Sequence, residues 1–106
     1  MESDKKTIIK EKIYKQLKKV IDPEIGINIV DLGLVYDVNI DDYSEVVIKM
    51  TLTAPNCPYG DILLDKVQQY TLMVDEVETV DIDLTFDPPW DPEKISDAAK
   101  YYMGIL

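Results

Sequence analysis

The sequence predicts a small α+β protein, a single two-layer domain in which helices pack on a three-stranded mixed sheet. Three features predict it. Two runs of alternating apolar and polar residues are joined by a short polar turn, a third such run follows a helical segment, and both ends of the chain have helical spacing. The predicted order is α-β-β-α-β-α, and we expect residues 1–106 to form one domain.

Composition narrows the classes of protein to consider. The 106 residues include 21 carboxylates and 11 lysines, with neither arginine nor histidine, and the net charge is −10. Such a charge disfavours nucleic-acid binding, which needs clustered cations. A single cysteine allows no internal disulfide, and no apolar run is long enough to span a membrane. We therefore expect a cytoplasmic protein with no nucleic-acid or membrane partner.

The first helix is predicted by apolar residues three and four apart. It should end at Asp22–Pro23, because the residue before a proline is disfavoured in a helix, and Gly26 should form a tight bend just after it. Seven lysines lie in the first 20 residues, forming either a solvated helix face or a basic docking face for an acidic partner. The apolar positions are Ile9, Ile13, Leu17, Val20 and Ile21.

The three strands follow from period-two alternation. A hairpin should join the first two strands, and the third should run parallel to the second because a helix separates them. The predicted inward residues are Leu34, Tyr36, Val38 and Ile40, then Val46, Ile48, Met50 and Leu52, then Val80, Ile82, Leu84 and Phe86.

Two further helices complete the pattern. Asp91 should cap the last helix, with Pro92 at its first position, and Gly104 should end it. The predicted buried residues are Ile62, Leu63, Val67, Tyr70 and Met73 in the middle helix, and Ile95, Ala98, Ala99 and Tyr102 in the last.

Cys57 is the only cysteine and lies where the second strand gives way to the middle helix, between Pro55 and Pro58. The start of a helix favours a thiolate, which is both a nucleophile and a ligand for soft metals. The alternative is a small buried apolar residue. We favour the functional interpretation because the flanking residues are typical of a surface turn. One sulfur cannot hold a cluster alone, so a cluster would need the Cys57 of a second chain, a small thiol or a partner protein.

Other polar residues give weaker signals. Asp22 and Glu24 are carboxylates that could ligate a metal or act as a base, although spacing alone favours an ordinary loop. Thr51 and Thr53 share one face of the second strand, with hydroxyls directed away from the core or toward the turn at Cys57. Asp31, just before the first strand, has an ordinary interpretation.

Trp90 follows two prolines on a stiff loop. It is either a lid over the edge of the core or a partner contact, since tryptophan is enriched in interface hot spots.

Four segments, taken in order, resemble the MIP18 (DUF59) family of small domains tied to iron–sulfur cluster assembly. They are residues 22–24, 28–36, 50–58 and 88–90. Asp91 departs from the family, which often has threonine there. The resemblance implies the fold of an iron–sulfur cluster assembly domain and a role as an accessory factor for cluster maturation, without turnover of its own.

The resemblance also implies a site and partners. On the matching positions the site would comprise Cys57, Asp22, Glu24, Thr51 and Thr53, with Cys57 as the essential group. It implies no stably bound cofactor, at most a transient iron or cluster held by Cys57 residues of two chains. The implied partners are iron–sulfur assembly proteins and recipient apo-proteins, with homodimerisation open.

Members of the family occur in several domain arrangements and protein systems. These 106 residues contain neither the glycine-rich loop of relatives fused to an ATPase nor the cysteine-rich tail of relatives in phenylacetyl-CoA oxygenase systems. A stand-alone SufT-like factor is therefore favoured. The alternatives are an accessory protein of such an oxygenase system, an enzyme with Cys57 as nucleophile and Asp22 or Glu24 as base, and a pure interaction module.

Overall fold

The computed structural model describes residues 3–105, which form helices and a three-stranded sheet. The predicted α+β class and element order are confirmed, although the last helical segment is divided in two. The elements are α1 (Ser3–Leu17), β1 (Val35–Ile40), β2 (Glu45–Met50), α2 (Gly60–Leu72), β3 (Thr79–Leu84), a 3₁₀ turn (Pro92–Lys94) and α3 (Asp97–Met103). None of the described helices has both the length and the apolar character needed to cross a bilayer.

Strand β2 is the centre of the sheet. It pairs antiparallel with β1 and parallel with β3, as predicted. Its inward residues Val46, Ile48 and Met50 are buried, and Leu52 just beyond the strand is buried too. Because β2 has a hydrogen-bonded neighbour on each side, its inward face is the best-covered part of the sheet.

Strand β1 departs from strict alternation at Tyr36. The register shifts between Val35 and Asp37, which is the signature of a β-bulge. Tyr36, predicted to point inward, is only half-buried. Its hydroxyl donates to the Pro88 carbonyl and accepts from the Lys94 ammonium, each over 2.8 Å. The bulge thus redirects an aromatic side chain from the core to the chain beyond β3.

Strand β3 is an edge strand and is less buried than predicted. Val80 and Ile82 pack partly against the core, whereas Leu84 is exposed. Phe86, beyond the strand, is half-buried. An edge strand is covered by fewer neighbours than a central one, so the same alternating pattern buries less area here.

The first helix ends at Leu17, before the predicted Asp22–Pro23 boundary. Beyond it the chain pairs with the segment that returns toward β1, because the Asp22 N–H donates to Ile27 and the Ile29 N–H donates to Val20. This pairing replaces helical hydrogen bonds. Gly26 makes the predicted bend, with φ of +80°.

Helix α2 buries a different stripe from the one predicted. Leu63 and Val67 are buried as expected, but Ile62 and Met73 are exposed. Thr71 occupies a core position instead, because its hydroxyl donates to the Val67 carbonyl over 2.7 Å and so needs no outside partner.

The last helical segment has two caps rather than one. Asp91 accepts from the Glu93 N–H at the 3₁₀ turn, as predicted, but Ser96 then caps α3 by accepting from the Ala99 N–H. The second cap changes the phase of the helix. Ile95 and Ala99 are therefore buried as expected, whereas two predictions are wrong, since Ala98 and Tyr102 are exposed. Gly104 ends α3 with φ of +80°.

Both the backbone conformation at position 33 and a close neighbour require a glycine there. Its φ is +81°, and a Cβ there would lie 2.6 Å from the Lys94 carbonyl oxygen and 2.7 Å from the Lys94 Cβ. The loop before β1 can therefore approach the 3₁₀ turn only because position 33 has no side chain.

We predict that Gly33→Ala lowers the free energy of unfolding by about 2–5 kcal/mol, since a left-handed backbone and a steric clash both contribute. Gly26→Ala is the matched control, because Gly26 has nearly the same φ and no atom lies within 4 Å of the position that a Cβ would take there. It should lose only the backbone contribution, about 1–2 kcal/mol. Urea denaturation measures both, and equal losses would rule out the clash with Lys94.

Candidate functional site at the end of the central strand

Three loops meet at one end of the sheet because of its topology. Met50, the last residue of β2, pairs with Val35 at the start of β1 and with Leu84 at the end of β3. The segments before β1, after β2 and after β3 therefore leave the sheet at the same end. All the residues predicted for the site lie in these segments.

Hydrogen bonds join the three segments directly. The Thr51 N–H donates to the Leu34 carbonyl and the Thr85 N–H donates to the Met50 carbonyl, each over 2.9 Å. The indole N–H of Trp90 donates to the Leu32 carbonyl over 2.7 Å. These bonds connect segments distant in sequence, so this end of the sheet is fixed by backbone contacts rather than by side chains alone.

Cys57 lies in the loop between β2 and α2, as predicted, and is half-buried against the core. Its backbone N–H donates to the Ala54 carbonyl over 3.2 Å, and its carbonyl accepts from the Gly60 N–H over 3.1 Å. Cys57 Cβ and Leu52 Cδ1 lie 4.0 and 2.9 Å from the position that a Cβ on Gly60 would take. The loop is thus folded onto the first turn of α2, and Gly60 leaves room for that contact.

The start of α2 is polar but has no side-chain cap. Tyr59 stands at the capping position, where its side chain makes no capping hydrogen bond, and Asp61 places a carboxylate in the first turn. The positive end of the helix dipole is therefore directed toward the loop that carries Cys57, and Asp61 offsets part of it.

The two threonines differ in their surroundings. Thr51 is fully buried, with its hydroxyl 3.4 Å from the Leu52 carbonyl, so an outward-facing hydroxyl is wrong for this residue. Thr53 is half-buried.

Asp22 has a structural role, in which one of its two carboxylate oxygens accepts hydrogen bonds from the backbone. The side chain is 2% exposed, and Oδ1 accepts from the N–H groups of Glu24 and Ile25 over 2.9 and 3.3 Å. Its backbone carbonyl accepts from the Gly26 N–H over 2.7 Å. Glu24 is exposed, and its carboxylate takes part in no hydrogen bond or ion pair within residues 3–105. Asp22 builds the bend, whereas Glu24 is available to solvent.

The candidate residues lie in the segments before β1 and after β2 and do not form a ligand set. No hydrogen bond links Asp22 or Glu24 to Thr51, Thr53 or Cys57 among the described residues. Within the same residues, no three cysteine or carboxylate side chains converge so that they could hold a metal ion.

Asp31, predicted to be an ordinary loop residue, joins the loop before β1 to the start of α3 by hydrogen bonds. Its carboxylate accepts from the Asn28 amide over 2.6 Å and from the Ser96 hydroxyl over 3.1 Å. Its carbonyl accepts from the Ser96 N–H over 2.7 Å. The only local signal is the spacing of Asn28 and Asp31, since the Asn28 side chain also accepts from the Asp31 N–H.

Trp90 is partly buried against the core, with its indole N–H bonded to Leu32. These contacts favour the lid over the edge of the core. Contact with a partner stays a prediction for the part of the ring that remains accessible.

Comparison with known proteins gives the family. The sequence model of the family described as iron–sulfur cluster assembly protein matches residues 10–82. The chain belongs to this family. The resemblance to DUF59 proteins is confirmed, and five of the predicted site residues lie within the matched range: Asp22, Glu24, Thr51, Thr53 and Cys57.

Relatives and solved structures of the family agree with this assignment. A "Fe-S protein maturation auxiliary factor" of Porphyromonas gingivalis is 43% identical over 91% of both chains. The "Fe-S protein maturation auxiliary factor YitW" of Bacillus subtilis is 41% identical over 92% of this chain and 95% of its own. A DUF59 crystal structure from Bacillus anthracis superposes with a TM-score of 0.91 at 37% identity, covering 99% of this chain and all of that one.

We predict that Asp22→Ala lowers the free energy of unfolding by about 1–3 kcal/mol, because two backbone N–H groups lose their acceptor. Asp22→Asn keeps an acceptor oxygen and should lose less. Glu24→Ala should change stability by no more than about 0.5 kcal/mol, as is usual for exposed side chains. Thermal and urea unfolding of the three variants tests this, and equal losses for Asp22→Ala and Glu24→Ala would contradict the structural role of Asp22.

Proposed function

We infer that this protein is an auxiliary factor in the maturation of iron–sulfur proteins and that it acts through Cys57. The observation that carries the inference is its membership of the iron–sulfur cluster assembly family. Support comes from relatives named as maturation auxiliary factors that it matches over nearly their whole length. Its partners are then iron–sulfur assembly proteins and recipient apo-proteins in the cytoplasm.

Cys57 is suited to a brief contact with iron or a cluster as cargo. A thiolate is the usual protein ligand of iron–sulfur clusters, and one such ligand is too few to retain one. The chain has no second cysteine and no histidine. Further ligands must come from outside the chain: a second Cys57, a small thiol or the recipient protein. Cargo held in this way is easily passed on.

The surroundings of Cys57 fit such an exchange. Pro55, Asn56 and Pro58 around it are at least partly exposed, while the cysteine itself is half-buried. The loop is held against α2 and the core, so the sulfur has a defined position at the surface. A half-buried cysteine is partly accessible to a partner, whereas a fully buried thiol would stay out of reach.

A role without turnover is supported by the positions of the carboxylates. A cysteine enzyme of the kind considered above would need Asp22 or Glu24 as a base within hydrogen-bond reach of the thiol. Asp22 is buried under its own turn, and neither carboxylate is hydrogen-bonded to Cys57 among the described residues. An adaptor or carrier is therefore favoured over an enzyme.

We predict that Cys57→Ser fails to support iron–sulfur enzymes in cells. The host is a bacterial strain whose own relative of this protein has been deleted, grown under iron limitation, and the measurement is aconitase activity relative to aconitase protein. Wild type should restore the activity, and so should Asn56→Ser, a control in the same loop. Full restoration by Cys57→Ser would contradict the role of the thiol, and no restoration by wild type would contradict the function.

Anaerobic reconstitution separates a carrier from an adaptor. The purified protein is incubated with iron and sulfide and followed by visible absorption, with Cys57→Ser alongside. A cluster in the wild type that is absent from the variant is the expected result. Absence from both would contradict binding of the cargo while leaving a role through protein contacts intact.

A further inference from the structure

Strand β3 has one edge without a neighbour. Among the residues that the structure describes, β3 pairs with β2 and with no other strand, and α2 is the only helix that contacts it. Bulges, prolines and charged side chains are the usual means by which proteins block pairing at an edge. The register of β3 with β2 is unbroken and the strand contains no proline. Only the charges of Asp81 and Asp83 remain, so the segments that can pair here are selected by charge.

Alternate backbone groups of β3 face the free edge. The Thr85 N–H donates to the Met50 carbonyl, and hydrogen bonds of this kind recur at every second residue of a parallel ladder. The N–H groups of Asp81 and Asp83 therefore also face β2, whereas the Ile82 N–H faces away from the sheet. An added strand would supply an acceptor for it.

The side chains of β3 alternate between apolar and acidic. Val80 and Ile82 pack partly against the core, and Leu84 is 39% exposed. Asp81 and Asp83 are exposed on the opposite face of the sheet. A strand added at this edge would continue both faces, because side chains alternate along every strand. One set of its side chains would therefore lie beside apolar residues and the other set beside carboxylates.

Carboxylates outnumber lysines around this edge. Residues 67–93, which include β3, hold eight carboxylates and no lysine. Salt bridges with lysines elsewhere engage two of the eight, Glu76 and Glu93. The two elements that contact β3 add three carboxylates and two lysines, Lys49 of β2 and Lys66 of α2. The surroundings of the edge therefore have a clear excess of negative charge.

Lys49 does not cancel the charge of β3. In the register of the sheet it lies between Asp83 of β3 and Asp37 of β1, so one cation is shared by two carboxylates. Asp81 lies opposite Val47, which carries no charge. Neither Asp81 nor Asp83 makes an ion pair with another described residue. A cation brought to this edge would therefore meet carboxylates that the protein leaves unpaired.

We propose that the free edge of β3 binds an extended basic segment of a partner protein as a fourth strand of the sheet. Backbone groups such as the Ile82 N–H pair with the segment. Lysines or arginines at alternate positions of the segment approach Asp81 and Asp83, and the apolar residues between them contact Val80 and Leu84. In strand addition the main-chain hydrogen bonds provide affinity and the alternate side chains provide specificity.

The bound segment would lead toward the loop that carries Cys57. Leu84 at the end of β3 pairs with Met50, and the chain beyond Met50 forms that loop. Neighbouring strands lie about 4.8 Å apart, so the added strand would lie roughly 10 Å from β2. Residues that flank the bound segment would then leave the sheet at the same end as the loop. This consequence rests on the proposed function, whereas binding at the edge requires no thiol.

Two other occupants fit the edge less well. A second copy that paired antiparallel through its own β3 would place Asp81 and Asp83 opposite the same aspartates, and like charges opposite each other destabilise a sheet. The β1 edge of a second copy is interrupted by a bulge and carries Asp37. A nucleic acid would be repelled by the same carboxylates, because its binding depends on neutralising phosphates with cations.

The test uses three short synthetic peptides and the intact protein. In one peptide lysine alternates with valine, in the second glutamate replaces lysine, and in the third the lysines and valines form separate blocks. Nuclear magnetic resonance should show saturable shifts of the Val80, Ile82 and Leu84 amides with the alternating lysine peptide. The block peptide should bind about fivefold more weakly or less tightly still, and the glutamate peptide should not bind. Absence of shifts, shifts confined to other surfaces, or equal binding of the two lysine peptides would overturn the proposal.

Hydrogen exchange tests the backbone pairing. In the free protein the Ile82 amide should exchange faster than the Asp81 and Asp83 amides, because only the latter two are bonded to β2. The alternating lysine peptide should slow exchange at Ile82 by about tenfold or more. An Ile82 amide that is already protected in the free protein, or one that the bound peptide leaves unprotected, would contradict strand addition.

Variants test the charge. Asp81→Lys should weaken the alternating lysine peptide about fivefold or more and should allow the glutamate peptide to bind. Asp81→Asn, which preserves the shape of the side chain, should have an intermediate effect. Glu11→Lys is the matched control, because it makes the same charge change on α1, which does not contact β3, and it should alter affinity by less than about twofold. Equal effects of Asp81→Lys and Glu11→Lys would sink the idea.

Raising the protein concentration tests the second copy as occupant. Without peptide, the Ile82 amide should keep its shift and its exchange rate at every concentration. A concentration-dependent shift at Ile82 would overturn the proposal in favour of self-pairing. Neither iron nor Cys57 takes part in the peptide assay, so its failure and a failure of the cluster-maturation role are distinguished.

Discussion

The pairing of Met50 on both sides is the constraint on which the rest of the structure depends. An antiparallel neighbour begins opposite this residue and a parallel neighbour ends opposite it, so three chain segments must leave the sheet together. The position of Cys57 is therefore a consequence of strand direction, and side-chain packing only refines it.

Much of this arrangement could be predicted from the sequence because β2 has a simple pattern. Val46, Ile48 and Met50 alternate with outward-facing residues, and a strand paired on both sides buries one whole face. The hairpin turn and the helical crossover then determine the order and directions of the strands. The loop position of Cys57 follows from the prolines around it. These features depend on local periodicity and chain direction, which can be read directly from a sequence.

Other features depend on contacts between distant segments and could not be predicted. Tyr36 continues the alternating pattern, yet a bulge turns it toward Lys94. The first helix ends early because the residues that follow it form backbone hydrogen bonds with the segment near Ile29 instead of helical ones. Met73 lies at helical spacing but on the outer face, while Thr71 is buried through a bond to its own helix. In each case a hydrogen bond or a chain contact formed elsewhere decides which way an ambiguous residue faces.

The end of the chain is attached differently from the rest. The 3₁₀ turn and α3 belong to no strand pairing. The contacts that hold them are Ser96 to Asp31, Ile95 and Ala99 in the core, and Lys94 against Gly33 and bonded to Tyr36 of β1. Segments held by few buried contacts open at a lower free energy than the whole domain. We therefore expect residues beyond Trp90 to open before the rest of the domain, which would uncover the loop before β1 while leaving the strand pairing intact.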